Sequence, residues 1–187
     1  MFNYPAPRGR FNVSIDQNKI YPPFKEWVES FGLSISSVLE AFYTSPNGGS
    51  IIIHNDGGDT PGVDDCCKIN FTWGSPDSTT RWYKIKDESK LIKKYSGGDD
   101  PRYRVFSDKG IVPDIDISYS LSAEIEDVDL VYEAVIDKPS LINNSQLHST
   151  YNPSSEHRWT LCFVLLENGE SLRFHRALEI FKDYIIE

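Results

Sequence analysis

The sequence predicts a mainly β domain, a sandwich or barrel with a helix at each end. Two observations carry this reading. Between residues 38 and 166, short runs of β-branched and aromatic residues are punctuated by clusters of turn residues, the pattern of many short strands. Near the ends, apolar residues instead recur at helical spacing: Phe24, Trp27, Val28 and Phe31 ahead of Gly32, and Leu172, Leu178, Phe181 and Ile185 in the last segment. At 187 residues the chain supports one sizeable core, so a single domain over 1–187 is expected.

Taken in order, residues 1–23 are rich in Pro, Asn and Arg and read as an extended arm that finds its contacts on the rest of the fold. A short amphipathic helix follows over 23–31. Strands are predicted over 38–44, 50–54, 68–73, 80–85, 102–106, 115–121, 130–136, 140–143 and 158–166, with explicit turns at 45–49, 56–59 and 74–77. The densely charged stretch 86–110, which contains Gly97 and Gly98, is the least strand-like interior segment and reads as a surface insertion, a candidate lid. Residues 167–169 make the turn before a closing helix within 170–187.

A net charge of -9 and a pI near 4.9 repel phosphate backbones, which argues against nucleic acid as the primary partner. Of the three cysteines, Cys66 and Cys67 are adjacent and Cys162 lies in an apolar run, so no disulfide framework is expected and a reducing compartment fits. The first ten residues lack the apolar run of a signal peptide, and no stretch approaches membrane-spanning length. The expectation is a cytoplasmic protein without a membrane partner; its oligomeric state is not legible.

The chemistry concentrates at His54-Asn55-Asp56, which ends the apolar run Ile51-Ile52-Ile53 just before a glycine turn. Residues two apart in an extended chain point to one face, so the His54 imidazole and the Asp56 carboxylate converge. Two histidines and one carboxylate make the facial ligand set of non-haem iron(II) oxygenases, which leaves open positions on the metal. The third ligand is sought among His148, His157 and His175. An oxygenase of this kind also needs a fixed cation for a dicarboxylic co-substrate, and the planar fork of Arg suits it. Arg158 lies ten residues after His148, at the start of an apolar strand and beyond the turn-rich stretch 149–157. His157 and His175 have no basic residue placed in that way, so His148 is the choice.

The ordered set His54, Asp56, His148 and Arg158 resembles the iron(II)/2-oxoglutarate-dependent oxygenase superfamily. Tyr43 and the glycine-bearing turn at 45–49, ahead of the His-x-Asp strand, are similar to its prolyl-hydroxylase branch. The segment 68–73 with Arg81, Trp82 and Tyr83 resembles small oxygenase-like proteins encoded by phages, which would place the chain in a host cytoplasm. What the resemblance implies is a double-stranded β-helix, of the jelly-roll or cupin-like kind, whose open end holds Fe(II) on His54, Asp56 and His148. The 2-oxoglutarate would be anchored by Arg158, with Tyr43 beside it, and O2 would be consumed. Strand alternation, apart from the resemblance, sets Asn70 and Thr72 on one face as candidates to line the pocket, Asn70 for contact with the co-substrate. Trp73 and Tyr83 are the candidates for substrate contact, the substrate being a protein side chain, a nucleobase or a small metabolite that the motif does not name.

Plainer readings stand beside these. His54 and Asp56 alone are an ordinary strand-end pair, and Arg158 is equally suited to a salt bridge with Glu156 or Asp56. Cys66 and Cys67 read as strand-edge residues, the cluster at 90–94 as a solvated loop, and the pairs Asp64/Asp65 and Asp114/Asp116 lack a complementary general acid. The alternative function is a non-catalytic binding or virion module on the same fold with a vestigial metal site. A cupin-like metal enzyme would need the three ligands but not Arg158.

Overall fold

The computed structural model describes residues 9–14, 16–56, 66–95 and 119–185. It is mainly β, with two antiparallel sheets and two helices. The first sheet contains β1 (Gly9–Ser14), β2 (Ser34–Thr44), β5 (Cys67–Gly74), β10 (Ser140–Asn143), β12 (Arg158–Glu167) and β13 (Glu170–Ser171). The second contains β3 (Gly49–Ser50), β4 (Ile53–His54), β6 (Thr79–Ile85), β7 (Ile92–Tyr95), β8 (Tyr119–Ala123), β9 (Val128–Val135) and β11 (Leu147–Asn152). The strand orders are β1-β2-β12-β5-β10, with β13 on β12, and β7-β8-β4-β11-β6-β9, with β3 on β11. The chain therefore passes from one sheet to the other between β2 and β3, β4 and β5, β5 and β6, β9 and β10, β10 and β11, and β11 and β12.

Alternation along the central strands decides what each face of the first sheet does. Phe163 pairs with Leu39 and Ile69, and Leu161 with Ala41 and Phe71. This face is apolar and is covered by α1 (Pro22–Glu29) and α2 (Phe174–Ile180). Phe24 of α1 lies edge-on to Phe71 and Phe163, with ring centroids 5.4 and 5.0 Å away, and Trp27 stacks on Phe181 at 5.0 Å. Val28 and Ala177 are completely buried there. Proline in the first turn suits a helix start, where the missing N–H has no intrahelical acceptor, and Gly32 at φ +74° turns the chain away after the helix ends. The opposite face carries Glu40, Lys68, Asn70, Thr72, Arg158, Thr160 and Cys162 and looks across at the second sheet. On the second sheet a smaller apolar cluster gathers Ile53, Tyr83, Ala123, Val128 and Leu147.

Several expectations need correction. The arm contains a strand, β1, whose backbone pairs with β2 from Gly9↔Tyr43 to Ser14↔Val38. The stretch 86–110 contains a strand too, after a short 3-10 turn over Glu88–Lys90: β7 pairs with β8, so residues 92–94 of the 90–94 cluster are strand. The expected strand 50–54 is split into β3 and β4 around Ile51 and Ile52, although the Ile51 N–H still reaches the Thr150 carbonyl at 3.1 Å. Residues 147–152, read as a strand end followed by turns, form β11 at the heart of the second sheet. The closing helix is shorter than expected: Leu172 is buried ahead of α2, while Leu178 and Ile185 are exposed. The expected strand 102–106, the carboxylate pairs Asp64/Asp65 and Asp114/Asp116, and most of the 86–110 insertion lie outside the described residues. Among the described residues no helix is long and apolar enough to cross a membrane.

Candidate metal centre

His54 and His148 face each other across the β4–β11 pair, directly opposite in register, with ring centroids 4.7 Å apart. The Nδ1 of His54 is 2.8 Å from the Ile52 carbonyl, and the Nδ1 of His148 is 2.8 Å from the Gln146 carbonyl. A carbonyl can only accept, so each Nδ1 carries the proton and each Nε2 keeps its lone pair. This is the tautomer that a metal-binding imidazole needs. Asp56 is held two residues beyond His54 by the intervening asparagine. Asn55 is fully buried, its N–H donates to the Leu121 carbonyl and its Oδ1 accepts from the Leu121 N–H, so β8 grips it from both sides. The Asp56 N–H in turn donates to the Asn144 carbonyl.

The two Asp56 oxygens differ. Oδ2 accepts from Lys68 Nζ at 2.6 Å and from Asn144 Nδ2 at 2.7 Å. Oδ1 is buried, takes no hydrogen bond and lies 3.3 Å from His54 Nε2. With the proton on Nδ1, that contact sets a lone pair against a carboxylate oxygen, which a shared cation would reconcile. The ligand atoms of His54, Asp56 and His148 all lie within 4.8 Å of one another, and the three groups could hold a metal ion.

The electrostatics agree with this geometry. Burial would raise the Asp56 carboxyl, but the Lys68 ammonium beside it outweighs that and holds the group well below the usual carboxylate range. Burial, followed by the neighbouring His54, pushes His148 down to about 4, so its imidazole is neutral at ordinary pH. Burial alone would lower Lys68; Asp56 and then Glu40 overcome it and keep the ammonium above its ordinary value.

Arg158, the first residue of β12, reaches into the same pocket. It is 2% exposed, and Nη2 donates to Thr80 Oγ1 at 3.2 Å, while Nε and Nη1 have no partner. Burial pushes the guanidinium down to about 10, a sign of how poorly the pocket solvates it, yet leaves it charged at neutral pH. The salt bridge to Glu156 or Asp56 allowed by the sequence does not form. The pocket wall is hydroxyl-rich: Thr80, Ser149, Thr150 and Thr160 line it, and Thr150 meets Thr44 at 3.0 Å while Thr160 meets Thr72 at 3.3 Å, pairs that join β11 to β2 and β12 to β5. The pocket is lined by all four motif residues and by Asn70. Asn70 Oδ1 is buried without a partner.

Three expected site residues lie elsewhere. Tyr43 pairs with Trp159, one step out of phase with Arg158, and therefore points to the far face of the sheet. There its ring lies 4.9 Å from that of Trp159 and its hydroxyl contacts His157 Nδ1. Trp73 shares that face, stacked on Trp159 and 52% exposed. Tyr83 is buried in the small apolar cluster of the second sheet, with its hydroxyl 3.0 Å from Ser149 Oγ, and it does not line the pocket. Conversely, the sequence reading missed Lys68, Glu40, Asn144 and Thr80. For Lys68 the signal was present: in β5 the residues Lys68, Asn70 and Thr72 alternate with Ile69, Phe71 and Trp73, which assigns the lysine to the face of the pocket. Cys66 makes an isolated bridge to Arg173 and Cys67 is buried in β5, in keeping with a structural role. Comparison with protein-family models, with curated proteins and with solved structures finds no match to this chain.

Proposed function

We propose that this chain is an iron(II)- and 2-oxoglutarate-dependent oxygenase built on a double-stranded β-helix. The observation that carries the reading is the convergence, in one pocket between two sheets, of three candidate ligand groups, one with a bare buried carboxylate oxygen, and a buried arginine that has no counter-ion among the described residues. Burying an arginine with two N–H groups unpaired is costly, and it is readily understood if a ligand carboxylate completes the fork. The strand orders support the fold reading, since eight of the strands interleave as β2-β12-β5-β10 facing β4-β11-β6-β9, the arrangement of a jelly roll folded from paired antiparallel strands.

In this reading His54, Asp56 and His148 hold the metal through the two Nε2 atoms and Oδ1. Arg158 binds the distal carboxylate of 2-oxoglutarate, oriented by Thr80, and Asn70 offers a further polar contact on the pocket wall. Iron(II), when bound, supplies the redox and Lewis-acid chemistry by which oxygen is activated and the 2-oxo acid loses carbon dioxide. The protein's own part is to present two imidazole Nε2 atoms, a carboxylate that stays ionised, and one fixed cation on the facing sheet. The test is aerobic incubation with iron(II) and 2-oxoglutarate, measuring succinate. Metal-dependent succinate formation that is lost in His148→Ala supports the reading. A folded, metal-loaded protein that forms none moves the assignment to a non-catalytic binding module.

A further inference from the structure

We propose that Lys68 is a positioning residue of the His54–Asp56–His148 centre, fixing Asp56 as a ligand through one oxygen only. The inference rests on the metal reading above and adds to it a role for a residue outside the ligand set. Lys68 sits on β5 in the first sheet, whereas Asp56 follows β4 in the second, so their contact spans the gap between the sheets. The ammonium is 8% exposed and also pairs with Glu40 of β2, itself 8% exposed, which anchors it from behind. Its 2.6 Å contact and the 2.7 Å contact from Asn144 both end on Oδ2 of Asp56. Two donors, one of them charged, thus occupy that oxygen, while Oδ1 is left bare and turned toward His54 Nε2.

A carboxylate that chelates a cation must turn both oxygens toward it. Asp56 can do so only by giving up the Lys68 and Asn144 bonds, which would leave a buried ammonium short of a partner. Held as it is, the carboxylate takes a single position on the ion. An octahedral cation on this centre then keeps about three positions for exchangeable ligands, where a chelating aspartate would leave about two. Lys68 therefore governs how many sites remain for incoming molecules, without touching the ion.

The experiment uses Mn(II) as the probe, with affinity from calorimetry and the number of bound waters from line broadening of the Mn(II) electron paramagnetic resonance signal in isotopically enriched water. Wild type is expected to hold about three waters. Lys68→Arg, which keeps a charged donor, is expected to match it, and Lys68→Met to lose one water. Should Lys68→Met fail to fold, the double variant Glu40→Gln/Lys68→Met removes the charge that Lys68 balances and carries the same expectation. About two waters on the wild type, or the same count and affinity in Lys68→Met as in wild type, would overturn the positioning role while leaving the metal centre standing. No Mn(II) binding by any form would overturn the metal reading and this role with it.

Discussion

His54 and His148 occupy opposed positions on neighbouring antiparallel strands, their rings 4.7 Å apart and each Nδ1 bonded to the carbonyl two residues earlier in its own chain. The same local bond is made twice, once per strand, so both Nε2 lone pairs are presented before any ligand arrives. His54→Ala or His148→Ala should each abolish measurable divalent-cation binding in calorimetry. Asn55→Ala removes the side-chain acceptor of the Leu121 N–H and should weaken binding by roughly 10- to 100-fold, the usual effect of losing a residue that orients ligands. Equal binding by Asn55→Ala and wild type would show that this bond does not orient the site.

Arg158 shows the opposite of a stability optimum. Its guanidinium is buried and makes one hydrogen bond, so replacing it with a flexible apolar side chain removes a desolvated charge. Arg158→Met should raise thermal stability, by about 1–3 kcal/mol, while eliminating 2-oxoglutarate binding. Paired denaturation and equilibrium binding measurements check this; a destabilised variant would mean that the arginine is a structural element.

Gly74 stands where β5 meets Arg158, with φ +96°, and a Cβ placed on it would lie 2.0 Å from the His157 carbonyl oxygen. Both the backbone conformation and the contact require glycine. Gly74→Ala should destabilise the fold by about 2 kcal/mol or more and shift Arg158, weakening 2-oxoglutarate binding more than metal binding. Parallel titrations of metal and co-substrate separate the two effects.

His148 makes the fold acid-sensitive. Burial lowers its folded value to about 4 from an ordinary 6.5, so between those pH values the unfolded chain binds a proton that the folded chain refuses. Stability from this group is complete above pH 6.5 and is lost as pH falls toward 4, by about 3 kcal/mol in all. Asp56, held low, loses its own contribution only at still lower pH, below the usual carboxylate range. Urea unfolding of the metal-free protein from pH 7.5 to 4.5 should show this slope, and His148→Gln should flatten it.

The β-rich class and the His-x-Asp strand end were legible because alternation and turn residues are local signals. The register that brings His148 opposite His54 is not local: 147–152 contains Ser, Thr, Tyr and Asn, few of them apolar, and becomes a strand only because β4 and β6 flank it. Tyr43 was misplaced for a related reason. The resemblance to the prolyl-hydroxylase branch suggested a place for it beside Arg158, but the parity of its pairing with Trp159 sends it to the other face. Lys68 illustrates the converse, since its inward parity was written in β5, yet only the fold brings β5 against Asp56.

The most direct test of the central claim is anaerobic titration of the apoprotein with iron(II) and then 2-oxoglutarate, following the visible charge-transfer absorption of a metal-chelated 2-oxo acid. The account predicts a band in wild type that is absent in both His148→Ala and Arg158→Ala. A folded wild type that gives no band, or a band that survives in His148→Ala, would contradict it.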